Sequence, residues 1–448
     1  MIEATYFCWS SSMEFLAKIF KFEEKNTNLK QELMAGLTGF ITVCYVLFVV
    51  PAMLSDAGMP KEAATVAVIW ATAIASLLMA FYANFPVIVA PGLGICAFFA
   101  YYVCGPMGLS WQAGLAAVFI SGFIFLLLTV TRVRELIISA VPLDIKYAIV
   151  VGLGCFISFI GMKNAGIIVA DPSTFVAFGD MTNWEPLLAG FGAIFIGALM
   201  VRQVRGAMII GIITITVIGM LVGATPIPDF SNMALPKSYF PAETLLQLNF
   251  KSVFEYGIVT IVFTLTMVDL FDNMGTLIGL SQRARMMDMK TGHIEGLNRA
   301  LLSDSVATMG SGIIGTPTCT SYVESAAAIA EGGRTGMVPF VTAILFLACL
   351  LILPVVHIVP GYATAAALIV VGALMMQSVV HIHFEDFTTG MPAFLTILTM
   401  PLTFNVATGF GLGFISYVLL KLLTGKEREL SVVTVLIATA FAINFVLR

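Results

Sequence analysis

The sequence predicts an all-α polytopic membrane protein: fourteen transmembrane segments in two inverted repeats of seven. Three observations predict it. They are a composition that suits lipid, a one-sided distribution of Lys and Arg, and two crossings broken by Pro and Gly at corresponding places. Of 448 residues, 59% are hydrophobic and only 11% charged, and mean hydropathy is +1.00. A soluble domain carries roughly 25% charged residues, and none can be cut out of this chain. The longest polar stretches are the N-terminal thirty or so residues and the loop 225–255. The N-terminal stretch alternates acids and bases and lacks a small-residue cleavage site, so it is not expected to be a signal peptide. It forms a cytoplasmic segment, 1–33, in which Met13–Phe22 is weakly amphipathic and suits the membrane interface.

Apolar runs place the crossings at 34–54, 62–82, 86–104, 112–131, 144–168, 186–202 and 206–223. The second set lies at 256–280, 294–313, 321–332, 338–358, 361–380, 388–403 and 405–423. Most meet the length of about 20 residues needed to span. A last apolar run, 431–447, either crosses once more or lies on the surface. With the N-terminus in the cytoplasm, seventeen Lys and Arg fall inside, and only Lys61, Lys163, Lys237 and Lys251 fall outside, Arg448 left aside. That asymmetry is the positive-inside pattern.

The third and tenth crossings do not read as ordinary helices. The third opens NFPVIVAPGLGICAFFAYYV and the tenth GIIGTPTCTSYVESAAAIA. Pro and Gly break the helical ladder, and Val, Ile and Thr suit extended backbone. Each therefore predicts a short extended segment followed by a half-helix. Irregular backbone at membrane depth survives only where protein or a polar cavity covers it. Third of seven and tenth of fourteen are matching positions, and an odd repeat re-enters the membrane in the opposite sense. This is the pattern of an inverted repeat with a midplane site.

Two carboxylates stand out against this background. Asp272 lies in IVTIVFTLTMVDLFDNMGTLIGL and Glu324 just after the tenth break. A charge near the bilayer centre costs roughly 3 kcal/mol, so a membrane acid reads as functional. Carboxylates accept when ionised and donate once when protonated, which suits the edge of a flat heterocycle. Backbone at Ala90–Cys96 and Ser321–Ser325 would add further donors and acceptors, and Phe98, Phe99 and Phe271 would supply ring faces. A carboxylate held away from water can exchange a proton near neutral pH, so Asp272 and Glu324 are also candidate proton carriers. Asp269, one turn earlier, is either a second cavity acid or a partner for a basic residue at the helix end. Asp304 is either a site acid or a hydrogen-bond partner for broken backbone, and Asn84 either a site residue or a cap. The seven cysteines are scattered through apolar runs, with no disulfide framework or metal spacing, and His381-x-His383 lacks further ligands.

NFPVIVAPGLGICAFFAYYV, VDLFDNMGTLIG, SYVESAAAIAEGGRTG and VPGYATAAALIVVG resemble the AzgA-like adenine/guanine/hypoxanthine permeases of the nucleobase–cation symporter-2 (nucleobase–ascorbate transporter) superfamily. The resemblance runs from about Lys30 to the C-terminus. It implies the uracil-transporter fold, with a core domain at 34–131 and 256–358, a gate domain at 144–223 and 361–423, and a C-terminal hydrophobic segment at 431–448. It also implies elevator-like import of purine bases across the plasma membrane (the inner membrane of a bacterium), coupled to protons. The acid of the family's F-D-x-x-G-T motif falls on Asp272, for base binding or proton coupling. That of Y-x-E-S falls on Glu324, with Tyr322 and Ser325 beside it, for hydrogen bonding to the purine. Thr276 falls where relatives place a polar coupling residue. Many members read P-G-M-G-L-N-A where this chain reads PGLGICA, so Cys96 replaces an asparagine that would face the base. The implied partners are a purine base, protons and the bilayer, with a homodimer left open, and no nucleic acid, cofactor or metal.

Two other function classes compete. An anion exchanger or channel on the same architecture would favour a basic or neutral site. An intramembrane aspartyl protease would place its acid in a Gly-x-Gly-Asp context, which Asp272 lacks.

Overall fold

The computed structural model describes residues 15–131, 133–227, 238–255, 258–286 and 294–446. The side chains at 135, 136, 138, 139, 254, 255, 258–260, 271, 272, 274, 275 and 278 lie outside that description. Among the described residues, eight helices are long and apolar enough to cross a membrane. The chain is mostly helical, with two short two-stranded sheets.

The first crossing is two helices, Leu29–Val43 and Val46–Asp56. Asn28 caps the first, its side chain accepting from the Gln31 amide at 3.0 Å and satisfying a donor that the helix start would leave free. Pro51 has no N–H to offer the Leu47 carbonyl. Just before it the ladder tightens, with Leu47 N–H donating to Cys44 O (3.1 Å) and Phe48 N–H to Tyr45 O (3.0 Å). The break falls at Cys44–Tyr45.

Helix packing falls into two sets. Leu29–Val43 packs on Met337–Ala348 and Ser325–Ala330. Lys61–Leu78 packs on Val46–Asp56 and Leu297–Ile314, and Trp111–Val130 on Leu297–Ile314 and Ile258–Arg283. Separately, Leu143–Asn164 packs on Gly361–Met376 and Phe387–Leu402. Trp184–Val201 packs on Gly361–Met376 and Ala207–Leu221, and Phe387–Leu402 on Val406–Leu423. The sets meet where Leu93–Phe98 touches Leu143–Asn164, where Val46–Asp56 touches Gly361–Met376, where Leu29–Val43 touches Ala207–Leu221, and where Ile258–Arg283 touches Leu143–Asn164 and Val406–Leu423.

The third and tenth crossings are broken as the sequence predicts. Strands β1 (Val89–Pro91) and β4 (Cys319–Ser321) pair antiparallel, Val89 opposite Ser321 and Pro91 opposite Cys319. Each leads to a six-residue helix, Leu93–Phe98 and Ser325–Ala330. Pro91 sits at the strand end, where its missing N–H removes no interior ladder bond. The residue after it must be small: a Cβ on Gly92 would lie 2.7 Å from Thr320 Oγ1.

The structure departs from the predicted map at the end of the fifth crossing and in the link before it. The fifth crossing ends at Asn164 rather than 168. Gly166 turns at φ +72°, and the β-branched run beyond it forms a hairpin, β2 (Ile168–Asp171) with β3 (Phe175–Phe178). Asp171 closes its turn by accepting from the Ser173 and Thr174 amides (2.8 and 2.9 Å). A short helix, Val133–Ala140, stands between the fourth and fifth crossings. Arg134 on that helix, counted above among the cytoplasmic cations, is buried, because an acid on a neighbouring helix draws it inward. The run 431–447 forms a helix, Val432–Val446, packed on Val406–Leu423.

Candidate functional site

The paired strands are the frame of the site, and side chains from four helices secure their edges. Ser76 accepts from Val89 N–H (3.2 Å) and donates to Val89 O (2.9 Å). Ser325 Oγ accepts from Ile88 N–H at 3.0 Å, and Asn273 Oδ1 from Ser321 N–H at 3.1 Å. Thr308 Oγ1 lies 3.3 Å from both Cys319 O and Asp269 Oδ2. Two-stranded ribbons at membrane depth require this, because each unpaired backbone group there costs several kcal/mol. The hydroxyls of Thr316, Thr318 and Ser321 are buried without a hydrogen-bond partner among the described residues, which leaves polar capacity along the tenth crossing.

Glu324 is half-buried at the N-cap position of the Ser325–Ala330 helix, where its side chain makes no capping bond to the helix. Its Oε1 accepts from the hydroxyl of Tyr45 at 2.6 Å. Tyr45 is fully buried and stands at the break in the first crossing. Gly39, six residues earlier, lets that crossing come close: a Cβ there would meet Ile88 Cδ1 at 2.6 Å and Ala328 Cβ at 3.3 Å. Tyr322 beside Glu324 donates to Pro91 O at 2.5 Å, tying the tenth crossing to the third. Cys96 lies on the Leu93–Phe98 helix and is buried, and Phe98 stacks on Tyr102 with ring centroids 5.3 Å apart.

The other predicted residues separate from this centre by their partners. Asp272 is on the Ile258–Arg283 helix, and its side chain, like that of Phe271, lies outside the described residues. Thr276 is half-buried on the same helix. Asp304, fully buried on Leu297–Ile314, forms an ion pair with Arg134 at 3.6 Å. The Arg134 guanidinium also covers the Phe125 ring, 3.9 Å from its centroid. Asn84 bridges two loops: its side-chain amide donates to Phe20 O (3.1 Å) and accepts from Gly336 N–H (2.7 Å). Sequence reasoning missed Tyr45, Asn273 and Arg134. The signal available for the first two was a polar group in an otherwise apolar run.

A cavity of about 580 Å³ lies elsewhere, lined by Asp56, Tyr101, Lys163, Asn164 and Phe404 among others, and by none of the predicted site residues. Tyr101 Oη donates to Asp56 Oδ2 and accepts from Asn164 Nδ2, both at 2.7 Å. Lys163 Nζ stands 5.5 Å from the Tyr101 ring centroid and 5.2 Å from that of Phe404.

Comparison with known proteins decides the family. The permease family's model matches residues 30–412. The chain belongs to that family. It is a multi-pass membrane transporter, not an enzyme. Adenine permease AdeP of Escherichia coli is 37% identical over 437 residues, 98% of this chain and 97% of its own. Guanine/hypoxanthine permease PbuG of Bacillus subtilis is 38% identical over 436 residues, 95% of this chain and 98% of its own. The transmembrane domain of a cyanobacterial bicarbonate transporter, BicA, superposes with a TM-score of 0.62 at 15% identity. The match covers 86% of this chain and 97% of that one. At that identity the likeness speaks for the fold alone.

Proposed function

We propose that this permease imports a purine base, adenine, guanine or hypoxanthine, by proton symport, and that the base docks against Glu324. The observation that carries this reading is the meeting of β1 and β4. It brings Glu324, Tyr322 and the first turns of two short helices to one place, with acceptors and donors suited to a heterocycle's edge. Relatives named for adenine and for guanine/hypoxanthine support the substrate class. An anion exchanger on the same fold is the second reading. An acid as the polar centre disfavours it, because an anion beside a carboxylate is repelled.

Asp272 takes the coupling role in this reading, with Glu324 and Thr276. One proton moving down about 100 mV gains about 2.3 kcal/mol and one pH unit adds about 1.4. Together they sustain about a 500-fold gradient of a neutral base. In this reading a moving core (34–131 and 256–358) works against a gate (144–223 and 361–423), within fourteen crossings in inverted repeats, and the division of helix packing into two sets supports it. On this assignment, Tyr101–Asn164 and the Arg205–Glu331 ion pair tie core to gate at opposite ends of the molecule. An elevator step would have to break them in turn.

The test is uptake of radiolabelled hypoxanthine into transporter-deficient cells expressing the protein. Unlabelled adenine, guanine, xanthine and uracil serve as competitors, with and without a protonophore. Purine-competed, protonophore-sensitive uptake is expected. Absence of uptake over vector, with the protein verified in the membrane and labelled adenine and guanine equally inert, would sink the purine assignment.

A further inference from the structure

We propose that Tyr45 is a positioning residue for base recognition: its hydroxyl holds Glu324 Oε1 so that Oε2 is left to meet the base. The inference rests on the purine-permease reading above and adds to it a residue that the motifs do not contain.

Tyr45 is a phenol in an apolar run, at the point where the first crossing breaks. A Phe would fill the same space; a buried Tyr ordinarily needs a partner for its hydroxyl. The tightened turn at Cys44–Phe48 and the close approach at Gly39 bring that hydroxyl to 2.6 Å from Glu324 Oε1. This is the length of a charge-assisted O–H···O⁻ bond. Tyr45 is 0% exposed, so water does not compete for the bond.

A carboxylate side chain on a six-residue helix is free to rotate unless something fixes it. Tyr322 does not, because its own hydroxyl is committed to Pro91 O. Tyr45 does, and in both charge states. A phenol donates to an ionised carboxylate and accepts from a protonated one. The pair can therefore keep its hydrogen bond through a protonation cycle, with the same oxygen held each time. The base would meet a carboxylate whose orientation is set before it arrives, which lowers the ordering cost of binding.

The test is a double-mutant cycle on the full-length protein, reading purine uptake kinetics and equilibrium binding to purified transporter. Tyr45→Phe keeps the ring and removes the hydroxyl. It is expected to raise the KM for purine at least about tenfold, in line with losing a hydrogen bond to a charged group, with Vmax within about threefold of wild type. In a Glu324→Gln background, where binding is measured at high ligand concentration, Tyr45→Phe is expected to add less than about a twofold loss. A merely structural Tyr45 would lower thermal stability and act additively in the cycle. Wild-type KM in Tyr45→Phe, or the same fold-loss in both backgrounds, overturns the assignment. If wild-type protein moves no purine, the functional reading itself fails and this one with it. If wild type moves purine and the cycle is additive, only this one fails.

Discussion

Glu324 and Asp304 are both membrane acids in the same half of the chain, yet their surroundings differ in kind. Glu324 is half-buried just before a short helix and meets a neutral hydroxyl, that of Tyr45. Asp304 is fully buried in a long helix and faces a guanidinium, that of Arg134. A neutral partner that can donate or accept tolerates either charge state of its acid. A buried cation tolerates only the carboxylate, because removing one member strands the other charge. The first setting suits the proposed role of an acid that meets a substrate or a proton; the second ties three helices together.

The largest effect should come from breaking the second pair. Arg134→Met is expected to cost about 3–5 kcal/mol, read as a large fall in the melting temperature of detergent-purified protein. Arg134→Met with Asp304→Asn should recover much of it. A single variant as stable as wild type would erase the distinction between the two acids. Asp272→Asn should abolish accumulation against a gradient while facilitated exchange of base persists. An unchanged response of accumulation to external pH would remove Asp272 from the coupling role. Gly92→Ala forces a Cβ against Thr320 and is expected to cost about 1–3 kcal/mol through overpacking, together with reduced uptake. Normal stability and uptake would show that the strand pair yields there. Cys96→Asn should change the relative uptake of adenine, guanine and hypoxanthine; an unchanged ranking places Cys96 away from the base. Smallest is Asn164→Ala, which removes one hydrogen bond worth about 1 kcal/mol. It should shift the ratio of inward to outward transport rates, with binding unchanged.

The broken crossings were legible because Pro91, Gly92, Gly315 and Pro317 interrupt otherwise apolar runs, and lipid tolerates such interruptions only inside protein. The pairing of the two breaks was legible from their matching positions. The partners were not. Tyr45 and Glu324 lie in the first and tenth crossings, and Arg134 and Asp304 on helices far apart in the chain, so no local spacing announces either pair. Arg134 read as a cytoplasmic cation because charge counting cannot see a short helix turning its side chain inward. The fifth crossing was drawn to 168, into the start of the hairpin Ile168–Phe178, because a short β-branched run reads as strand or helix end alike. Asn84 read as a cap or a site residue; its two hydrogen bonds join the N-terminal segment to the turn before Met337 instead.

What most needs testing is whether Glu324, and not the more deeply buried Asp304 or Asp269, receives the base. The direct measurement is equilibrium binding of hypoxanthine, adenine and guanine to purified Glu324→Gln protein beside wild type. Thermal unfolding of both is needed to show that the fold is kept. The account predicts about a 10- to 150-fold loss of affinity, since a hydrogen bond to a carboxylate is worth about 1.5–3 kcal/mol, with melting close to wild type. Wild-type affinity in Glu324→Gln would contradict it.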